Sequence, residues 1–234
     1  MAKRFNGKTA LIAGGTGGLG RAVSLAFLDE GTNVHVTYRV DEEFSSLKKS
    51  VGETPQLQGR RVDVTSENET AEFVRNIGAI DIMVNCVGAY AGGSPLWKTE
   101  VNVFEKMLDL NLRSGFILSR SVVPVMLNRH SGAIVNVSSR AAIDHAAGGG
   151  AYAASKAAAL AMMDSLAADL NGSGVRANTV LPSIIDTEAN RRAMPKANFA
   201  AWPKPEEIAA VILFLCSEDA KLIHGAAVPV YGTT

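Results

Sequence analysis

Short apolar or β-branched runs alternate along this chain with longer stretches of helical spacing, and that alternation narrows the possible folds more than any other feature. Thr9–Ala13, Asn33–Tyr38, Arg60–Val64, Asp81–Val87, Ala133–Val137, Val175–Leu181 and Ala226–Val230 read as strands. Leu19–Glu30, Glu42–Ser50, Ser66–Ile77, Val103–Leu127, Tyr152–Leu170 and Glu206–Ser217 read as helices. Strands covered on both faces need continuous apolar runs, and strand–helix alternation builds a parallel sheet between two helical layers. The expectation is an α/β fold, a doubly wound parallel sheet of about seven strands, in one domain over residues 1–234. Ser66, with Glu69 three positions on, has the spacing of a capping box. The long helix Val103–Leu127 is read as one piece or two, with Pro124 near its end as a candidate kink.

Composition excludes several function classes. The 23 basic and 23 acidic residues cancel, so no charge excess drives the counterion release on which nucleic-acid binding depends. With 47% hydrophobic residues the chain has ample material for a core. Cys86 and Cys216 both lie in apolar runs, which fits buried thiols in a reducing compartment and neither a disulfide framework nor a metal site. The first apolar run, Ala10–Ala13, is too short for a secretion signal, and no run approaches the roughly 18 apolar residues of a membrane span. A cytoplasmic protein without membrane or nucleic-acid partners is expected.

The first strand runs into Gly14-Gly15-Thr16-Gly17-Gly18-Leu19-Gly20 and then a helix. Glycine suits such a turn because the chain leaves the strand sharply, the backbone approaches a pyrophosphate, and the helix packs close to the sheet. The helix start offers unpaired N–H groups and the positive end of a dipole. Gly14, Thr16, Gly17, Gly18, Leu19 and Gly20 are therefore candidate contacts to a dinucleotide. After the second strand, where many NAD-binding proteins carry an acid for the ribose hydroxyls, this chain has Tyr38-Arg39. Arg39 could pair with the 2′-phosphate of NADP(H), or be a solvated loop residue.

Tyr152 and Lys156 stand four apart on a predicted helix, hence on one face. A cation beside a phenol favours the phenolate and lowers its pKa from about 10, which suits Tyr152 to proton transfer near neutrality. Ser139 follows the Ala133–Val137 strand, at the sheet edge where open α/β folds bind ligands, and could hydrogen-bond a carbonyl.

Together these motifs resemble the short-chain dehydrogenase/reductase family, over nearly the whole chain. The resemblance implies a Rossmann-type fold and hydride transfer between a nicotinamide and a carbonyl or alcohol carbon. Ser139, rather than its neighbour Ser138, then orients the substrate oxygen and Tyr152 is the general acid or base. Lys156 lowers the tyrosine pKa and binds the nicotinamide ribose. Asn111 matches the family's fourth catalytic residue, which holds a relay water; as a bare residue it could equally kink or cap a helix. Asp63 and Val64 match the adenine contact. Asn85 and Gly88 fit the family's Asn-Asn-Ala-Gly, from which Cys86 and Val87 depart. Pro182, Ile185 and Thr187 match a segment that contacts the nicotinamide carboxamide, with Ser183 where the family has glycine. Arg39 points to NADP(H) over NAD(H), although Gly17 stands where many NADP enzymes carry a second basic residue.

Residues 183–204 are too long for an ordinary connection, and Met194, Phe199 and Trp202 argue for a folded substrate lid. This stretch and Gly88–Gly93 resemble the dihydropteridine reductase branch, which makes a pterin an alternative to a simple carbonyl substrate. That branch, however, lacks the serine and asparagine present here. A non-catalytic NADP(H)-binding regulator is a third reading, opposed by the intact Asn111, Ser139, Tyr152 and Lys156. The family forms homodimers and homotetramers through its two long helices. The second of these is rich in small residues here: Ala153, Ala154, Ala157, Ala158 and Ala161.

Overall fold

The computed structural model describes residues 3–233. Seven strands form one parallel sheet in the order β3-β2-β1-β4-β5-β6-β7. They are β1 (Thr9–Ala13), β2 (Asn33–Tyr38), β3 (Leu57–Arg61), β4 (Ile82–Asn85), β5 (Gly132–Val137), β6 (Val175–Pro182) and β7 (Ala227–Val230). The helices are α1 (Gly18–Asp29), α2 (Asp41–Val51), α3 (Glu67–Ile77), α4 (Val101–Leu108), α5 (Ser114–Leu127), α6 (Gly150–Asp169), α7 (Glu188–Ala193) and α8 (Pro205–Cys216). None is long and apolar enough, among the described residues, to cross a membrane.

Successive side chains of a strand point to opposite faces, and β1 shows why the sheet carries helices on both. Ala10 and Ile12 enter a core with Val23 and Phe27 of α1 and Ile208 and Ile212 of α8. Leu11 and Ala13 enter the other core, with Phe73 of α3, Leu118 and Val122 of α5 and Met163 of α6. Leu11 and Ile12 are fully buried, each worth roughly 2 kcal/mol of apolar burial. The strand order reverses between β1 and β4, whose registers pair Ile12 with Val84 and Ala13 with Asn85. Loops leaving the C-terminal ends of those two strands diverge and open a crevice there.

Three local expectations need correction. β3 lies three residues earlier than its apolar pattern suggests. It is an edge strand with a half-polar sequence, and Gly59 is set by the Phe44 ring of α2, which an added Cβ would approach to 2.5 Å at Cζ. The long helix is irregular at a π-turn, Asp109–Arg113, that joins α4 to α5, while Pro124 sits inside α5. The capping box is half formed. Ser66 Oγ accepts from Glu69 N at 3.5 Å, but the Glu69 carboxylate reaches back to Asp63 N at 3.0 Å.

Candidate active site

The glycine turn is fixed by its surroundings. Gly14 has φ +69°, a left-handed conformation that favours glycine. Its N–H donates to Thr37 Oγ1 at 3.0 Å and Gly15 N–H to Thr37 O at 3.2 Å, tying the turn to β2. A Cβ on Gly20 would overlap Gly14 O and lie 2.8 Å from Gly14 C. Gly17 caps α1 with no side-chain bond, and no acid stands in the first turn. The leading amides and the positive end of the helix dipole thus have neither a side-chain cap nor an acid of the first turn, which suits an anion. A backbone this close and a helix start this open fit a dinucleotide pyrophosphate. Leu19, buried, anchors the helix start in the core.

Around this turn lie the other cofactor candidates. Arg39 is exposed at the end of β2, while the Tyr38 ring is stacked on Phe44 at 4.7 Å. The Thr65 hydroxyl and amide, bonded to Asp63 Oδ1 at 2.7 and 3.0 Å, hold the Asp63 carboxyl below its ordinary value, and Arg39 adds to this. Val64 is buried beside it. Pro182 ends β6 and is buried. Ile185 O accepts from Asn190 Nδ2 at 2.8 Å, and Thr187 Oγ1 caps α7 by accepting from Asn190 N at 3.2 Å. A Cβ on Gly18 would meet Thr187 Cγ2 at 2.8 Å, so the start of the lid rests on the start of α1. Nothing in the sequence announced that contact.

At the end of β4, Asn85 is buried, donating to Asn136 Oδ1 at 2.9 Å and accepting from Val87 N at 3.1 Å. Gly88 sits where a Cβ would be 2.9 Å from Asn111 Oδ1 and 3.0 Å from Lys156 Nζ. Asn111 lies in the π-turn, a distortion common at functional sites. Its amide holds both backbone groups of Ala89, accepting from Ala89 N at 2.9 Å and donating to Ala89 O at 3.0 Å, and it donates to Ser155 Oγ at 2.9 Å. The Asn111 side chain is thereby committed to positioning the loop.

Ser139, Tyr152 and Lys156 converge over the C-terminal ends of β4 and β5. Ser138 is buried and donates to Lys156 O at 3.0 Å. Ser139 Oγ instead accepts from Ala141 N at 3.1 Å, capping the short turn after β5, so the two neighbouring serines are told apart by what they touch. Burial pushes the Tyr152 phenol above its usual value, the Ser139 hydroxyl beside it opposes this, and Tyr90 adds to the rise. The depression expected from Lys156 is absent in this arrangement. The buried Lys156 donates through Nζ to Val137 O at 3.0 Å, and burial brings its ammonium down to about 8. Burial likewise pushes the Cys86 thiol up to about 12, with Lys156 acting against the rise.

Tyr90 is the residue the sequence reading missed. Its ring meets Tyr152 edge-on, with centroids 5.0 Å apart at 74°. A Cβ on Gly92 would run into the Tyr90 phenol, so the glycine in Gly88–Gly93 was the available signal. His145 is exposed and faces Ala142 O at 3.3 Å. A cleft of about 380 Å³ lies at the opposite, N-terminal end of the strands, lined in part by Lys8, Asp81 and Arg176. Asp81 there is paired with Lys8 and Arg129, and none of the candidate residues reaches it.

Comparison with known proteins follows this geometry. The family model described as short chain dehydrogenase matches residues 8–198. The chain is 32% identical to a 3-oxoacyl-[acyl-carrier-protein] reductase FabG of Thermotoga maritima, over 98% of each chain. It is 34% identical to dehydrogenase/reductase SDR family member 4 of Bos taurus, over 99% of this chain and 89% of that one. Among solved structures, ElxO with NADP bound superimposes with a TM-score of 0.90 at 26% identity, covering 97% of this chain and 98% of that chain.

Proposed function

The chain belongs to the short-chain dehydrogenase/reductase family of oxidoreductases, and from that premise we propose that it is an NADP(H)-dependent reductase of a small carbonyl compound, with Tyr152 as its general acid. The observation that carries this reading is the buried Lys156, held to Val137 O at 3.0 Å one helical turn from Tyr152, at the edge of the crevice that opens next to the glycine turn. Arg39 favours the phosphorylated nucleotide, and a neighbour of the same fold, ElxO, has NADP bound.

The Gly14–Gly20 turn would hold the pyrophosphate, Arg39, Asp63 and Val64 the adenosine end, and Pro182, Ile185 and Thr187 the nicotinamide end. When bound, the dinucleotide supplies the hydride. Ser139 hydrogen-bonds the substrate oxygen and holds it against the Tyr152 hydroxyl. Tyr152 gives its proton to that oxygen as negative charge develops there. The raised pKa of the phenol keeps the proton on Tyr152 until the oxygen needs it. Lys156 would carry the nicotinamide ribose. Asn111 keeps the Ala89 loop and the Ser155 turn of α6 in register with each other. Residues 183–204 cover the substrate.

The expected assembly is a homodimer or homotetramer. Phe116 of α5 is 53% exposed, and Ala154 and Ala161 of α6 face outward with partly exposed Ala158 between them, a surface on which helices can approach closely. A pterin substrate draws no support from any contact of the lid.

The test is oxidation of NADPH over a panel of ketones, aldehydes and quinones, with Tyr152→Phe alongside. Turnover of at least one compound should fall roughly a hundredfold to ten-thousandfold in the variant with NADPH affinity retained. Equal turnover by both proteins, or tight NADPH binding with no turnover across the panel, overturns the enzymatic assignment of Tyr152.

A further inference from the structure

The Thr16 hydroxyl, in the middle of the glycine turn and only 7% exposed, donates to Glu43 Oε2 at 2.8 Å. Glu43 belongs to the first turn of α2, with Asp41 and Glu42 before it. The bond spans from the phosphate turn to the connection that follows β2, the side on which Arg39 stands. Asp41 faces Arg61 at 3.7 Å, so Glu43 is the acid of that helix start that reaches into the turn. Its partner is a hydroxyl well suited to a phosphate oxygen, and its carboxylate has the charge a phosphate would bring.

We propose that Glu43 sets the nucleotide preference by acting as a built-in competitor of the 2′-phosphate. Resting on the reading of Thr16 and Arg39 as cofactor contacts, the inference adds the residue that opposes them. NADP(H) must draw the Thr16 hydroxyl away from a like charge, whereas NAD(H) brings no charge to that place and leaves the bond intact. Arg39 attracts the phosphate and Glu43 repels it, so the chain's selectivity is the difference of the two. Glu43 is exposed, so water and salt screen its charge and its side chain can swing aside. The effect is therefore several-fold rather than thousand-fold. Gly17 in the same turn has room for a side chain, since a Cβ there meets only Gly14 O at 3.7 Å. No second cation of the turn offsets Glu43.

The experiment measures binding without substrate. NADPH and NADH are titrated into wild type, Glu43→Gln and Arg39→Ala at low and at high salt, following nicotinamide fluorescence. Glutamine keeps an oxygen for Thr16, so the turn retains its hydrogen bond. Glu43→Gln should tighten NADPH about fivefold at low salt, the size of an exposed charge pair, with NADH unchanged and the gain shrinking at high salt. An unchanged or weakened NADPH affinity in Glu43→Gln, with Arg39→Ala still weakening NADPH, overturns the role of Glu43 and leaves the cofactor reading standing. A gain shared equally by NADH, or one that salt does not diminish, also overturns it. If Arg39→Ala leaves NADPH binding unaltered, the cofactor reading itself falls and takes this inference with it.

Discussion

The glycine turn and the lid meet at Gly18 and Thr187, yet they are held in opposite ways. In the turn, backbone packs on backbone. Gly20 faces Gly14 with no room for a Cβ, which would also come within 3.0 Å of Gly15 Cα. In the lid, side chains make the structure. Arg191 pairs with Asp186 and lies 5.0 Å over the Phe199 ring, which packs on a buried Trp202. At Gly20 the turn leaves no space for a side chain. The lid is instead a set of side-chain contacts around one buried anchor, Trp202.

Three substitutions test that contrast. The largest effect is expected for Gly20→Ala. The methyl group would strike Gly14 backbone, which cannot rotate away, so dinucleotide binding should be lost and stability should drop by about 3 kcal/mol. Retained NADPH binding in this variant would mean the turn is softer than its packing implies. Trp202→Ala comes next, at about 3 kcal/mol of unfolding free energy with NADPH affinity kept. Denaturant titration and cofactor binding on the same sample separate the two losses. Should NADPH binding disappear as well, the lid and the turn are one unit and the contrast fails.

The smallest effect falls on Lys156, which touches neither region and lies against Val137 and Gly88. Its ammonium titrates at about 8 in the fold against 10.5 when unfolded. Between those values the unfolded chain holds more protons, so this residue makes stability rise with pH from about 8 upward. From pH 7 to 9 the gain should be on the order of 1 kcal/mol, and Lys156→Met should lack it. Thermal melts of both proteins across that range check this, and parallel curves would refute the buried, proton-shedding lysine.

Legibility of the sequence followed burial and locality. The bounds of β1 are legible because its apolar run is covered on both faces, and those of β2 because Val34 and Val36 alternate with polar residues. The edge strand β3 was misplaced because solvent relaxes its pattern. Tyr152 and Lys156 could be read because helical spacing is local, and the choice of Ser139 over Ser138 rested on family spacing until their different partners were seen. What stayed hidden depends on elements distant in sequence. The edge contact of Tyr90, the hold of Asn111 on Ala89, the approach of Thr187 to Gly18 and the reach of Glu43 to Thr16 all arise when separate loops converge on one end of the sheet. The π-turn was hidden for a different reason. It costs helix regularity locally, and its compensation, the clamp on Ala89, lies across the loop.

The central place of β1 also bears on how the protein is made. Its neighbour β2 follows directly, so half of its hydrogen bonds can form early in synthesis. The other half wait for β4, which begins at Ile82. During that interval a nascent chain exposes the edge of its most apolar strand, the kind of template on which other chains can pair. The strand order that opens the crevice in the finished molecule thus leaves that edge of the growing chain unpaired until β4 docks.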